Sequence, residues 1–131
     1  MTHQTTSQTR HLTVGEVTGI ARIAVGGHRP ELRAGGLLES AVHCPRARTY
    51  GVAAYPDLYE QAGALLHALA ANPPFLDGNK RTAWLSTAVF LAVNGADLAG
   101  IDQDRAYDLV VAVAAGELTD PAAIGAVLRS L

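Results

Sequence analysis

The sequence predicts an all-α fold, a helical bundle packed around a central buried helix at about residues 78–94. Residues 83–91 are apolar nearly all the way round a helix, which is typical of a helix that neighbours cover on every side. Other apolar residues recur mostly at helical spacing, and no segment alternates as a half-buried strand does. With 131 residues, 49% of them hydrophobic, the chain has the size of one domain with a substantial core.

The first half of the chain carries start and stop signals for two helices. Thr13 and Glu16 form a capping-box pattern, and Gly26-Gly27 is a typical helix stop. The segment after Pro45 shows no clear period, which predicts an exposed connection or flap. The elements predicted for this half are a helix at about 14–25, a loop at 26–36, a short helix at 37–44 and the flap at 46–56.

The second half predicts four helices, the second of which is the central helix. Pro73-Pro74 must end the helix that begins at Pro56, because proline breaks a helix interior. The central helix begins near Gly78, and caps at Asp102 and Thr119 start the last two helices. The residues expected on the inner face of the helix after Asp102 are Tyr107, Val110, Val111 and Ala114.

Composition narrows the class of protein and its compartment. The formal net charge is −2 with both signs scattered along the chain, so no global basic field supports DNA binding by the chain itself. The lone Cys44 is interpreted as a buried or incidental thiol of a reducing cytoplasm. No apolar run approaches the roughly 20 residues of a membrane span. A polar start predicts a disordered tail at 1–11 before a domain at 12–131, and the protein is expected to be cytoplasmic.

One junction conflicts with the preferences of an ordinary helix. Residues 72–82 form an irregular segment that puts Gly78, Lys80 and Arg81 at the start of the central helix. Free amides there attract anions, whereas cations disfavour an unliganded helix start by a few tenths to about 1 kcal/mol each. A bound phosphate removes this conflict, which predicts a phosphate site. Asp77 is either the N-cap or a carboxylate ligand for Mg²⁺, and Asp-Gly-Asn is also an ordinary turn-and-cap sequence.

The same junction resembles the signature of a known family. Residues 72–83, Asn-Pro-Pro-Phe-Leu-Asp-Gly-Asn-Lys-Arg-Thr-Ala, are similar to the pattern His-x-Phe-x-Asp-x-Asn-Lys-Arg of Fic/Doc proteins of the Doc (death-on-curing) branch. The wider Fic branch has glycine at the position of Lys80 and a second arginine at that of Trp84, so both residues favour Doc. The resemblance implies a Fic/Doc-type helical bundle. Three further segments are also similar to the Doc branch, so the resemblance extends over most of the chain. These segments are residues 36–41, 55–59 and 90–95.

The resemblance also implies roles for individual residues. Asp77 becomes the carboxylate that organises Mg²⁺ and phosphate, and Asn79 becomes an anion-hole residue. The cations Lys80 and Arg81 hold the phosphates of ATP or another nucleotide. The residues implied in catalysis are Asp77, Asn79, Lys80 and Arg81, and those implied in phosphate binding are Gly78, Asn79, Lys80 and Arg81.

An activity and partners follow from the resemblance as well. Doc-type toxins phosphorylate a hydroxyl of elongation factor Tu from ATP, and most Fic relatives transfer a nucleotidyl group. The resemblance therefore implies a transferase of the toxin–antitoxin kind, with ATP and Mg²⁺ as ligands. Elongation factor Tu is its candidate substrate, and a small antitoxin protein is its candidate partner. Residues 49–55 resemble the flap beside which the target segment lies.

The general-base histidine of the family falls at Pro73, which has no titratable group. His67 and Asp57, on the preceding helix, are interpreted as structural residues rather than relocated bases. A positioned base typically raises the rate by about 10²–10⁴-fold, so its loss is compatible with a slow enzyme. Two main hypotheses follow: a Doc-like transferase impaired or rewired by the loss, and a catalytically inactive Fic-fold module that binds nucleotide, phosphate or another protein. A third is transfer to a small molecule whose nucleophile needs no base.

Overall fold

The structure, a computed structural model, describes residues 9–131, which form a mostly helical bundle with one small β-hairpin. The predicted all-α fold class is confirmed. The helices are α1 (Val14–Ala24), α2 (Leu37–His43), α3 (Leu58–Ala71), α4 (Asn79–Val93), α5 (Gln103–Ala114) and α6 (Pro121–Ser130). The hairpin strands are β1 (Arg48–Thr49) and β2 (Val52–Ala53), which follow a 3-10 turn at Cys44–Arg46. Within the described range, no helix has the length and apolar character needed to cross a membrane.

The centre of the bundle is α3, which corrects the prediction of a central helix at 78–94. α3 packs against α2, α4, α5 and α6. In contrast, α4 buries one face only, and its Val89 and Val93 are exposed. The apolar residues around α4 therefore predicted more burial than the helix has. The buried residues of α3 are Gln61, Ala62, Gly63, Ala64, Leu65, Leu66, Leu69 and Ala70.

Two glycines allow α3 and α6 to approach closely. A Cβ added to Gly63 would lie 2.3 Å from the carbonyl oxygen of Pro121, and one added to Gly125 would lie 2.5 Å from that of Tyr59. Neither distance is compatible with a side chain. The helix pair is therefore in backbone contact, which only glycine permits.

Two helices start at residues other than those that the sequence predicts. α3 begins after Pro56, because the carboxylate of Asp57 accepts from the first-turn amides and makes Asp57 the N-cap. α6 is capped by Asp120, not by Thr119, and the carboxylate of Asp120 accepts from the amide of Ala122. In both helices, a carboxylate nearer to the first turn takes the place of the predicted start. The predicted caps of α1 and α5 are confirmed.

The flap contains a hairpin where the sequence predicted no strand. β1 and β2 pair antiparallel and are joined by Tyr50 and Gly51. These two residues have φ of 52° and 77°, as a two-residue turn with both central residues left-handed requires. Strands of two residues are too short to show apolar alternation, so the pattern could not reveal them.

Arg10 ties the chain before α1 to the bundle. Arg10 donates its amide to Asn94 Oδ1 and accepts from Asn94 Nδ2, both at 2.8 Å. His11 stacks on Phe90 with 5.8 Å between the ring centroids. Most of the predicted tail at 1–11 lies outside the described residues, at positions 1–8.

Candidate functional site

The candidate site begins where α4 starts without a side-chain cap. Gly78 is the N-cap residue and is left-handed, with φ of 73°, a conformation that glycine adopts without steric cost. No side chain bonds to the first-turn amides. Asp77 is therefore not the N-cap, which corrects one of its two predicted roles and leaves its carboxylate exposed. The amides of the first turn face the space in front of the helix.

The loop before α4 is held by the side chain of Asn79. Its Oδ1 accepts from the amide of Phe75 at 3.0 Å, and its Nδ2 donates to the carbonyl of Phe75 at 2.8 Å. Phe75 is buried in the core. The amide group of Asn79 is thus committed to the backbone, and it fixes the path of the loop around the candidate site.

The end of α1 packs directly against the start of α4. Arg81 Nη1 donates to the carbonyl of Ala24 at 3.0 Å, which neutralises an orphan acceptor at the end of α1. A Cβ added to Gly78 would lie 2.8 Å from Val25 Cγ1. The backbone at Gly78 therefore has no room for a side chain on this flank, and α1 forms one wall of the site.

A second segment runs antiparallel to the loop before α4. Leu32 forms a β-bridge with Phe75. The flanking bonds join Arg33 N to the carbonyl of Pro74 at 2.7 Å and Leu76 N to the carbonyl of Glu31 at 2.9 Å. We call residues 26–33 the strap, since they connect the end of α1 to this bridge and follow the edge of the site.

Pro73 lies in the loop before α4 and is bound through its backbone. Its carbonyl accepts from Arg33 Nε at 2.8 Å. The ring is half-buried and carries no polar atom. Pro73 therefore joins the strap to the loop and offers no group that could take a proton.

These elements line an open cavity of about 400 Å³, here named the anion pocket. The structure brings the whole predicted set from Asp77 to Arg81 together around it. It also adds His28 of the strap, which sequence reasoning missed because nothing in the sequence shows that the strap reaches the loop. Two cations, the amides of the first turn and one carboxylate make the pocket suited to a phosphate bound with a cation. Its lining residues are Ala24, Val25, His28, Asp77, Gly78, Asn79, Lys80 and Arg81.

A second cavity of about 470 Å³, the aromatic cleft, lies between α4 and α5. Tyr107 is 69% exposed and Val111 is 37% exposed, so both line the cleft instead of the core, which corrects their predicted place on the inner face of α5. Lys80 and Arg81 line both cavities. The remaining lining residues of the cleft are Trp84, Gln103, Ala106 and Val110.

Other residues considered from the sequence lie outside both cavities. His67 is half-buried on α3 and lines neither of them. Asp57 caps α3 and pairs with Arg129 Nη2 at 2.8 Å, a structural role. Burial raises the pKa of the Cys44 thiol, the opposite of the shift that activates a nucleophile.

The anion pocket fits a magnesium ion only together with a nucleotide. Within residues 9–131, no group of three or more His, Cys, Asp or Glu side chains could hold a metal. Asp77 is the carboxylate of the pocket. Mg²⁺ is usually bound through one or two carboxylates plus substrate phosphates, so one carboxylate beside a phosphate site matches this mode.

Comparison with known proteins identifies the family of this chain. Residues 11–91 match the Fic/DOC family. The chain belongs to the Fic/Doc family. Among its relatives, "Toxin Doc" of Mycolicibacterium smegmatis is 48% identical over 107 residues, which cover 81% of this chain and 82% of the relative. "Protein kinase doc" of Escherichia phage P1 is 32% identical over 112 residues, which cover 84% and 86%.

The segment that matches the Fic/Doc family contains α1, the strap and the loop before α4, but only part of the aromatic cleft. It runs from His11 to Leu91 and so includes α1, the flap, α3 and nearly all of α4. α5, which brings Tyr107 into the aromatic cleft, lies beyond it. In this Fic/Doc chain, the anion pocket thus lies inside the family segment, and the cleft joins it to a helix outside.

Proposed function

We propose that this chain is a Doc-like toxin kinase that transfers the γ-phosphate of ATP to a hydroxyl of another protein. One observation carries the proposal: Lys80 and Arg81 line both the anion pocket and the aromatic cleft. A ligand that fills both cavities has an anionic end and a flat apolar end on either side of these two cations. A nucleoside triphosphate has this form.

The two cavities suit the two ends of the nucleotide. Stacking on an aromatic side chain contributes about 1–3 kcal/mol per base, and Trp84 and Tyr107 supply aromatic surface in the cleft. At about 470 Å³, the cleft falls within the size range of small-molecule sites. The phosphates then lie toward the first turn of α4, where the free amides and the two cations oppose their charge.

Asp77 would hold Mg²⁺ jointly with the phosphates. When bound, the ion supplies charge neutralisation at the phosphate oxygens. The residues of the chain do the remaining work. Asn79 keeps the loop in place through Phe75, and Arg81 is held at a fixed position by the carbonyl of Ala24.

Phosphoryl transfer suits a site of this composition. Its transition state is loose, so catalysis comes mainly from alignment and from charge stabilisation. Lys80 and Arg81 provide the cations for this purpose. Pro73, at the place of the motif histidine, cannot take the proton of the attacking hydroxyl. We infer that, unless another group takes the proton, this chain transfers phosphate more slowly than a Doc protein that has the histidine. The difference in rate is up to about 10²–10⁴-fold.

The proposed target is a protein whose hydroxyl reaches the pocket past the flap. Tyr50, at the tip of the hairpin, is fully exposed, which suits contact with a partner. The names of the two relatives, a toxin and a protein kinase, support a toxin that modifies protein. Elongation factor Tu is the first substrate to test, and a small antitoxin is the proposed inhibitory partner.

A second function has its own support: a nucleotide-binding module without turnover. The observation that favours it is the commitment of Asn79 to the loop backbone. The resemblance to the family pattern, which puts Pro73 at the position of the motif histidine, supports it as well. Such a module keeps both cavities and binds nucleotide or an antitoxin. It differs from the kinase in one measurable respect, the covalent modification of a target.

Incubation of the full chain with ATP, Mg²⁺ and purified elongation factor Tu, followed by intact-protein mass spectrometry, separates these functions. A phosphate-sized gain on the target supports the kinase, and a nucleotide-sized gain indicates nucleotidyl transfer instead. If neither elongation factor Tu nor any lysate protein gains mass while calorimetry detects ATP binding, the module is favoured. Arg81→Ala should weaken ATP binding, whereas Arg10→Ala, which removes an exposed arginine bonded to Glu16 outside both cavities, should not.

A further inference from the structure

His28 is held at the rim of the anion pocket by the strap. At one end of the strap, Arg22 accepts from the amide of Gly27 through its carbonyl at 2.8 Å and donates from Nε to the carbonyl of Gly27 at 3.0 Å. At the other end, the bridge between Leu32 and Phe75 fixes the strap to the loop before α4. His28 lies between these two anchors, so the fold sets the path of the backbone that brings its exposed side chain to the pocket.

The left-handed pair before His28 directs the strap toward the pocket. Gly26 and Gly27 have φ of 86° and 98°, which end α1 and turn the chain sharply. The carbonyl of Ala24, two residues before Gly26, is bound by Arg81. The same arginine that lines the anion pocket thus fixes the helix end from which the strap carrying His28 departs.

The other described histidines lie elsewhere. His11 is stacked on Phe90, and burial together with the positive charges of Arg46 and His43 lowers its pKa. His43 is exposed on α2. His67 is on α3 and lines neither cavity. Among residues 9–131, His28 is thus the histidine that lines the anion pocket.

We propose that His28 is the catalytic base of this chain, in place of the histidine that Pro73 has replaced. The proposal rests on the proposed kinase function. Its geometric basis is that His28 and the phosphate-binding residues Asp77, Lys80 and Arg81 line one pocket of about 400 Å³. A target hydroxyl that enters to attack the γ-phosphate meets the imidazole within the same cavity.

The step balances without any further reactant. An imidazole nitrogen of His28 takes the proton of the target hydroxyl as its oxygen bonds to the γ-phosphorus of ATP. The bond between that phosphorus and the β,γ-bridging oxygen breaks, and ADP leaves with the electron pair. The protonated imidazole then releases its proton to solvent. The charged residues that line the pocket with it are Asp77, Lys80 and Arg81. The charged residues near it along the chain are Arg22 on α1 and Arg29 and Glu31 on the strap, and none of these three lines the pocket.

The test compares wild type with His28→Gln in single-turnover transfer from labelled ATP to elongation factor Tu. If mass spectrometry identifies a different target in the lysate, that protein is used instead. Loss of a general base should lower the rate by about 10²–10⁴-fold. Calorimetric affinity for ATP should stay close to that of wild type. Added imidazole should restore part of the rate in His28→Ala, which has space for it, and Pro73→His should restore it in His28→Gln.

Two matched variants separate the role of the base from effects on the fold. His67→Gln removes a histidine outside the pocket, and Arg29→Ala changes the residue next to His28 in the strap. Both should retain transfer, and thermal melting should show that His28→Gln is as stable as either. If His28→Ala melts at a much lower temperature than wild type, the rate of His28→Gln and the rescue by imidazole still test the role of His28 as the base.

Each result has one reading. Transfer that is unchanged in His28→Gln overturns the role of His28 and leaves the kinase standing. A loss of rate matched by an equal loss of ATP affinity also overturns it, because His28 then only binds. If wild type shows no transfer while Pro73→His does, this chain has no working base and the proposal for His28 fails alone. Absence of transfer in both overturns the kinase as well.

Discussion

Asn79 and Phe75 are joined by two hydrogen bonds, with the side-chain amide of Asn79 serving as both donor and acceptor for the backbone of Phe75. Phe75 is 2% exposed, so its amide and carbonyl have no ready access to water. The asparagine therefore satisfies both groups and sets the geometry of the turn that leads into α4. The path of the loop around the anion pocket depends on this pair.

Asn79→Ala should destabilise the fold and weaken ATP binding. Removal of the amide leaves the two backbone groups of Phe75 unpaired, and each unsatisfied buried group costs about 1–3 kcal/mol. We expect a decrease in the free energy of unfolding of about that size in urea titrations, with some recovery by solvent entry. Asn72→Ala, which changes an exposed asparagine at the other end of the loop, should stay within about 0.5 kcal/mol of wild type. Equal stability of the two variants would contradict the role given to Asn79.

Gly63→Ala should destabilise the bundle through the contact between α3 and α6. The new methyl would lie 2.3 Å from the carbonyl oxygen of Pro121, and the helices must separate to admit it. Overpacking of this kind costs about 1–3 kcal/mol. Gly19→Ala is the matched control, since it lies in α1 with nothing within 4 Å of the added Cβ. It should raise stability by about 0.5–1 kcal/mol through helix propensity, so the two substitutions should have opposite signs.

These glycines also explain which parts of the fold the sequence could predict. Capping residues and proline breaks are local signals, and they predicted all six helices with the starts of α1 and α5 correct. The choice of α3 as the centre is not local, because it depends on Gly63 and Gly125 meeting backbone from a helix about 60 residues away. A glycine within a predicted helix lowers the helix propensity, but the sequence does not reveal which helix packs against that glycine.

Stability should fall between neutral and mildly acidic pH because of His11. Its pKa is lowered in the folded state, mainly by burial, so the unfolded chain takes up the proton first as the pH falls. The stability linked to neutral His11 is therefore complete above its unfolded pKa of about 6.5. It is lost as the pH decreases from there through the lowered folded value, and the loss stops below that value.

The measurement compares wild type with His11→Gln in urea titrations at several pH values. The difference in unfolding free energy should move against wild type as the pH falls below about 6.5, since the variant lacks the titrating ring. Lost stacking on Phe90 adds an offset that does not depend on pH. His67→Gln, tested in parallel, should keep the wild-type change that comes from His11. A difference that is constant with pH would refute the assignment to His11.

The candidate site was predictable in one part and hidden in the other. Residues 77–81 are contiguous, so a helix start and two cations could be inferred from the sequence alone. His28 and Tyr107 enter only through the fold: the strap reaches the pocket by the bridge of Leu32 with Phe75, and α5 turns Tyr107 outward. The helical period of α5 indicated an apolar face but not that its edge would be a cleft.

Tyr107→Ala should weaken ATP binding without a loss of stability, because the side chain lines the aromatic cleft yet is 69% exposed. Base stacking worth about 1–3 kcal/mol corresponds to a decrease in affinity of about 5-fold to 100-fold or more. Tyr107→Phe keeps the ring and should bind as wild type does. Val93→Ala, at the far end of α4 and outside the cleft, is the control for truncation of an exposed apolar residue. Calorimetry with ATP and with inorganic triphosphate locates the effect: only ATP should respond to Tyr107→Ala, and an equal response of triphosphate would mean that the base lies elsewhere.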